Sequence, residues 1–347
     1  MQALRNQWYS AAFGHELKQE PMARMFLNEP VVMYRKADGT PVAFEDRCCH
    51  RRAPLSKGKI EGDNLRCGYH GFLYDATGAV VWAPGQDRLP PGSRVRSYPI
   101  VESHGWIWIW MGDPALADPK TAPSYDKYDD PKWASYGSLI PVEANYFLVV
   151  DNLLDLSHLP FLHANTIGSP EDTNPNLTWE RGSDWIKGTR VARGLSPSAR
   201  NLQEGLDFRF DRTQIMLFEP PSQVTIDILS NEYGKEYGDP NSRMNRRIII
   251  YDAMTPETDT SCHYFWAIAR DYAIDDPKMT EMGLRGTTAA FLEDKVMLEE
   301  EQKIISMNPS APQVDVIGDT GSLQARRIIE RMLGEESSST ARAAAAE

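Results

Sequence analysis

Cysteine is scarce in this chain: four in 347 residues, three of them between positions 48 and 67. So sparse a set supplies no disulfide framework, and the isolated Cys262 reads as a small buried apolar residue. Long apolar runs are missing too, and none approaches the roughly 20 residues that a bilayer-spanning helix needs. Positive charge is in deficit, with 37 Lys and Arg against 49 Asp and Glu and a formal net charge of −12. No basic patch stands out, which argues against a nucleic-acid partner, although a pocket can still carry local charge for an acidic small molecule. The opening residues, Met1 through Tyr9, lack the charged, apolar and small segments of a secretory leader. A cytoplasmic location is expected. No internal repeat is evident.

What is present is an ordinary globular composition, 41% hydrophobic and 25% charged, in a chain long enough for two domains. Its most specific stretch is Cys48-Cys49-His50-Arg51, then Cys67-Gly68-Tyr69-His70 sixteen residues after Arg51. Each arm offers one thiolate and one imidazole. Two such arms can hold a [2Fe–2S] cluster with sulfur ligands on one iron and histidines on the other, the Rieske arrangement. A tetrahedral zinc is the bland rival, but zinc sites usually pair Cys with Cys at short spacing. Gly68, Gly71 and Pro54 suit tight loops around a cluster, and Cys49 reads as a buried small side chain facing away.

From Trp8 to Trp110 the pattern is short strands and turns, including a hairpin from Phe72–Asp75 to Val80–Trp82 and a buried strand at Trp106–Trp110. Residues 1–115 are therefore expected to form an all-β Rieske domain. A Pro- and Asp-rich linker follows over Asp113–Pro131. The second domain, residues 116–336, opens with a helical segment over Glu143–Leu162. It continues through strands around residues 185–188, 206–210, 224–228, 247–251 and 261–266, and ends in helices over Met279–Met307 and Ser322–Leu333. The fold class is α+β, and residues 337–347 are expected to be a disordered tail.

The second domain carries Asn152-Leu153-Leu154-Asp155-Leu156-Ser157-His158, then Leu159-Pro160-Phe161-Leu162-His163. On a helix, Asn152, Asp155 and His158 share a face. Pro160 is expected to break the helix and let His163 swing toward a metal held by His158. Two histidines plus a carboxylate make the facial triad of non-haem Fe(II) oxygenases, with positions left open for O₂. Asp294, set among Ala290, Phe291, Met297 and Leu298, is one candidate for the carboxylate. Glu293 is nearly as well placed, and spacing does not choose between them.

Together these motifs resemble the oxygenase components of Rieske non-haem iron oxygenases over nearly the whole chain. The likeness is strongest to the group of vanillate and dicamba O-demethylases and toluenesulfonate methyl-monooxygenases. It runs through Arg5–Tyr9, Cys48–Arg51 with Ala53–Ser56, Cys67–Gly71, Trp106–Pro114, Val150–Asp155, Thr255–Thr258 with Cys262–Tyr264, and Glu293–Lys295. The resemblance implies that Cys48, His50, Cys67 and His70 bind the cluster. It implies that His158, His163 and Asp294 bind a mononuclear iron, which selects Asp294 over Glu293. Asp155 would be the bridge that hydrogen-bonds a Rieske histidine of a neighbouring subunit and an iron-bound histidine of its own, with electrons crossing through His70. Asn152 would stand beside the iron.

The resemblance further implies a helix-grip catalytic domain, a head-to-tail homotrimer, and O₂ as co-substrate. Electrons would come from NAD(P)H through a reductase with FMN and [2Fe–2S], or through a ferredoxin and its reductase. The implied reaction is hydroxylation of a methyl or methoxy group on a small aromatic compound, most simply an aromatic acid. N-demethylation of an amine or quaternary ammonium compound and ring dihydroxylation are alternatives within enzymes; a pure Rieske electron carrier is the alternative outside them. Arg246, Arg247, Arg270 and Arg285 are candidate pocket cations. Asp252, just before an expected turn at Thr255–Thr258, is either a turn aspartate or a pocket carboxylate. Parts of Gln214–Glu219 and Val224–Ile228 are expected in the pocket wall.

Overall fold

The computed structural model describes residues 3–173 and 176–344. They fall into two compact units, Met1–Ser124 with Thr255–Asp259, and Tyr125–Met254 with Thr260–Glu347. The boundary lies at Ser124, beyond the position 115 expected from the sequence. The intervening Asp113–Thr121 forms two single-turn 3₁₀ segments whose first N–H groups are capped by Asp113 and Asp118.

Among the described residues, the first unit consists of ten short strands. They are β1 (Trp8–Phe13), β2 (Met22–Phe26), β3 (Glu29–Arg35), β4 (Pro41–Glu45), β5 (Lys59–Glu61), β6 (Asn64–Arg66), β7 (Leu73–Tyr74), β8 (Val80–Trp82), β9 (Ile100–Ser103) and β10 (Trp106–Trp110). They pair as three sheets, β1-β10-β9, β2-β3-β4 and β5-β6-β7-β8. β10 is buried on both faces, with Trp106 and Trp108 wholly inaccessible, so the aromatic run is core. Each such indole contributes on the order of 5 kcal/mol of burial.

The second unit is built on the strands β11 (Ala134–Val142), β12 (Asn176–Arg181), β13 (Ile186–Leu195), β14 (Phe210–Glu219), β15 (Gln223–Glu232), β16 (Asn245–Thr258) and β17 (Ser261–Arg270). They form one sheet in the order β11-β17-β16-β15-β14-β13-β12. The helices are α1 (Tyr146–Leu154), α2 (Leu159–Leu162), α3 (Ala199–Gln203), α4 (Pro277–Met307) and α5 (Thr320–Ala344). α4 starts cleanly because Asp276 accepts from the N–H groups of Lys278 and Met279 while Pro277 occupies the first turn. Its buried stripe, Gly283, Thr287, Ala290, Phe291, Asp294, Leu298 and Gln302, lies against the sheet. There Phe291 meets Trp266 edge-on with ring centres 5.2 Å apart.

Several local expectations are corrected. β16 runs unbroken to Thr258, so Thr255–Thr258 is strand and the chain reverses at Asp259-Thr260. The helix over 143–162 breaks at Asp155, which ends α1 and caps the 3₁₀ turn Leu156–His158. Pro160 sits in the first turn of α2, where its missing N–H costs nothing, so it starts a helix and breaks none. α5 continues through Ser337–Ser339, where a tail was expected; residues 345–347 lie outside the described residues. No helix among the described residues is long and apolar enough to cross a membrane.

Candidate functional site

In the first unit the four cluster candidates sit on two similar loops, one after β4 and one after β6. Cys48 N–H donates to Ala53 O at 2.8 Å and Arg52 N–H returns to Cys48 O at 2.9 Å. In the second loop Cys67 N–H donates to Phe72 O at 2.8 Å and Gly71 N–H to Cys67 O at 3.1 Å. Gly71 adopts φ +73°, and a Cβ on Gly68 would sit 2.6 Å from the Lys57 carbonyl oxygen, so both turns need glycine.

Both thiols are buried, while His50 and His70 lie exposed with ring centres 4.6 Å apart. His50 stacks on Phe72 at 4.8 Å. Burial raises the Cys67 thiol pKa, opposed by the backbone N–H groups of Tyr69 and His70 that point at the sulfur. The Tyr74 hydroxyl donates to Cys48 Sγ at 3.1 Å and reaches Cys49 Sγ at 3.2 Å. Cys49 is therefore half-buried and in contact with Tyr74, not the fully buried side chain expected. Inward thiols with N–H and O–H donors, beside two solvent-facing imidazoles, fit a mixed-ligand two-iron cluster.

In the second unit His158, His163 and Asp294 converge, each offering a ligand atom within 4.8 Å of the others. His158 Nδ1 lies 2.7 Å from the Asp155 carbonyl oxygen, and His163 Nδ1 lies 2.7 Å from Glu293 Oε2. Both acceptors require a proton on Nδ1, which turns both Nε2 lone pairs toward Asp294. The distances from Nε2 to Asp294 Oδ1 are 3.5 Å for His158 and 3.1 Å for His163. Asn152 Nδ2 donates to the same oxygen at 3.0 Å.

Burial lowers the His158 pKa, against the pull of Asp294. For His163 burial also lowers it, but the hydrogen bonds and charges of Asp294 and Glu293 win, and the net shift is upward. Two imidazoles fixed in one tautomer and one buried carboxylate form a donor set that fits a divalent iron with open positions. Asp155 meets His158 through its main chain, while its carboxylate accepts from Ser157 N–H at 2.9 Å.

The triad opens on a cavity of about 160 Å³. Cross-strand register orders its floor. Arg212, Ser230 and Arg246 stand side by side on β14, β15 and β16; Gln214, Ile228 and Ile248 form the next row, and Ile226 with Ile250 follows. Ile268 and Phe291 complete the apolar wall. At the first row Glu204 accepts from Arg200 at 3.0 Å and from Arg246 at 2.5 Å. Two guanidinium groups thus share one carboxylate there, and Arg212 stands in the same row. Among the described residues lining the cavity, Asp294 alone carries a carboxylate.

Two expected pocket residues are elsewhere. Arg285 lies on the exposed side of α4. Asp252 sits within β16, wholly buried on the strand face that Ile248 and Ile250 share but not among the residues lining the cavity, and Tyr264 donates to its Oδ1 at 2.8 Å. Arg247 pairs with Asp227, and Arg270 bonds the carbonyls of Tyr272 and Ala273. Gln214, Ile226 and Ile228 do line the cavity. Arg200 and Arg212 were missed. The signal for Arg212 was its place in the alternating row Phe210, Gln214, Met216 and Phe218, which is otherwise uncharged and faces inward.

Comparison with known proteins agrees with this geometry. The Rieske [2Fe-2S] domain family matches residues 7–99, and the vanillate O-demethylase oxygenase C-terminal domain family matches residues 142–335. A putative toluene-4-sulfonate monooxygenase system iron-sulfur subunit of Comamonas testosteroni is 39% identical, over 97% of this chain and 99% of that protein. The crystal structure of dicamba monooxygenase bound to dicamba superposes with a TM-score of 0.89 at 31% identity, covering 97% of this chain and 99% of that one. The structure of the same enzyme with non-heme iron and dicamba gives 0.83 at 32% identity, with coverage of 97% and 99%. The chain belongs to the Rieske non-haem iron oxygenases, as a monooxygenase component whose cofactors are a Rieske [2Fe–2S] cluster and a mononuclear non-haem iron.

Proposed function

We propose that this oxygenase hydroxylates a methyl or methoxy carbon of a single-ring aromatic acid. The observation that carries the reading is the cavity itself. At about 160 Å³ it is close to the size of an apolar cavity, on the order of 150 Å³, that accepts benzene. One end holds the triad, the middle is isoleucine, and the far end is cationic. Among the described residues lining it, the one carboxylate is the iron-ligand candidate Asp294, which leaves no other to hold an amine or quaternary ammonium substrate.

We assign the cluster to Cys48, His50, Cys67 and His70, and the iron to His158, His163 and Asp294, with Asn152 holding the carboxylate. When bound, the cluster relays electrons and the iron activates O₂. The chain's own residues fix both histidine tautomers, keep water from the apolar middle of the cavity and set the ring against the triad. One oxygen atom enters the C–H bond, and the other leaves as water with two protons and two electrons. The electrons come from NAD(P)H through a reductase carrying FMN and [2Fe–2S], or through a ferredoxin. A hydroxylated methoxy group collapses to a phenol and formaldehyde; a hydroxylated ring methyl is an alcohol.

The working assembly is a cytoplasmic homotrimer in which His70 of one copy meets Asp155 of the next. Support comes from the exposed cluster histidines and from the exposed apolar Phe161, Val316 and Ile317, the last two in a groove with Ser157. Oxygen uptake with a surrogate reductase, across methoxylated, methylated and N-methylated aromatics, tests the reading. Formaldehyde or a benzylic alcohol supports it. A cis-diol, or turnover of the amines alone, sinks it.

A further inference from the structure

The cationic end of the cavity has a feature that settles which atoms it offers a ligand. Arg190 on β13 lies directly opposite Gln214 on β14. Its Nη1 donates to Gln214 Oε1 at 2.6 Å, with both side chains buried. A guanidinium can only donate, so the amide atom facing it must be the oxygen. With Oε1 taken, the Nε2–H₂ group is the end of the amide left to offer the cavity that Gln214 lines. Next to it stands Arg212, another pure donor, and then the hydroxyl of Ser230.

The separation between this end and the triad follows from α4. Arg200 Nη1 donates to Thr287 Oγ1 at 3.1 Å, and Glu204 links Arg200 to Arg246, the third member of the first row. Thr287 and Asp294 lie on the same buried stripe of α4, seven residues apart. Two turns at 1.5 Å per residue put about 10 Å between them.

We infer that Arg212, the Gln214 amide and Ser230 grip the anionic oxygens of the substrate, a carboxylate or a sulfonate, and that the carbon oxidised is the one across the ring from that group. The inference rests on the single-ring aromatic acid reading and adds the recognition residues and the regiochemistry. A ridge of guanidinium, amide N–H₂ and hydroxyl suits an anion because all three groups can donate to it and the guanidinium contact is charge-assisted. A para-methyl ring spans the gap between ridge and triad. An ortho-methyl ring, anchored at the same ridge, holds its methyl group away from the iron.

The test is calorimetric binding to the holoenzyme of 4-methylbenzoate, 4-methylbenzenesulfonate and the neutral 4-methylbenzamide, for wild type, Gln214→Glu and Arg212→Met. Gln214→Glu is nearly isosteric and keeps the contact with Arg190 while placing a negative charge on the ridge. Loss of one charge-assisted contact should raise the Kd ratio of acid to amide about tenfold or more. Comparing the two acids shows whether the planar or the tetrahedral anion fits. Unchanged ratios in folded variants, checked by melting curves, or a wild type that binds the amide but neither acid, overturn the inference. Turnover of the wild type on 4-methyl against 2-methyl isomers needs no variant: equal or faster oxidation of the 2-methyl acids also overturns it. A holoenzyme whose ratios shift as expected but which oxidises no methyl group would refute the reaction and leave the anion site standing.

Discussion

His163 gives its Nδ1 proton to Glu293 at 2.7 Å, so the residue next to the candidate ligand Asp294 holds the imidazole from behind. Glu293 in turn accepts from Thr166 Oγ1 at 2.8 Å. The two consecutive acids of α4 thus have separate tasks, one facing the triad and one bracing it. Removing such an outer carboxylate typically weakens metal binding 10–100-fold. Glu293→Ala is expected to lose mononuclear iron within about that range, with Glu293→Gln intermediate because an amide oxygen still accepts from Nδ1. Iron per chain after dialysis against a chelator, read beside the cluster absorbance, checks it. Equal retention of iron in Glu293→Ala would refute the bracing role.

Asp155 touches His158 through its carbonyl oxygen, a contact that survives any side-chain change. Asp155→Asn should therefore keep both the cluster and the mononuclear iron while turnover with a reductase nearly stops. Metal content, reduced-cluster spectra and oxygen uptake decide the point together. Turnover close to wild type would sink the proposed route between copies.

The Tyr74 hydroxyl reaches Cys48 Sγ at 3.1 Å. A hydrogen bond to a cluster sulfur stabilises the more negative, reduced state, and such bonds help set the potential. Tyr74→Phe is expected to shift the cluster potential downward and leave the cluster in place. Redox titration followed by visible circular dichroism reads the shift.

Asp252 provides a pH signature. Burial, with the Asp294 charge adding and the Tyr264 hydrogen bond opposing, pushes its carboxyl up to about 8. Its folded pKa thus exceeds the unfolded value near 3.9, so the proton is bound more tightly in the native state. The stability of wild type relative to Asp252→Asn should be greatest below about pH 4, fall as pH rises toward 8, and level off above. Urea midpoints of both proteins from pH 5 to 9 test this sign. A difference that grows in favour of wild type with rising pH would contradict it.

The metal motifs were legible in the sequence because they are local. Cys48 and His50 share one loop, Cys67 and His70 another, and His158 and His163 are five residues apart, so spacing alone brings each Cys–His pair to one side of a two-iron cluster and both histidines within reach of one ion. The sheet pattern and α4 were readable for the same reason, through alternation and a periodic apolar stripe. Even so, the sequence points to Pro160 for a break that lies at Asp155, since a proline in a helix's first turn and one in its interior look alike in a string of letters.

What only the tertiary structure decided is the cavity. Arg212, Ser230 and Arg246 are sixteen or more residues apart along the chain, and become neighbours through the register of three strands. The same register sets Arg190 against Gln214 and so orients an amide. The length of β16 keeps Asp252 buried inside a strand, where its sequence neighbours suggest a turn. Composition and spacing determined which metals this chain can hold; strand pairing, which depends on loop lengths and long-range packing, determined the end of the cavity at which charge gathers.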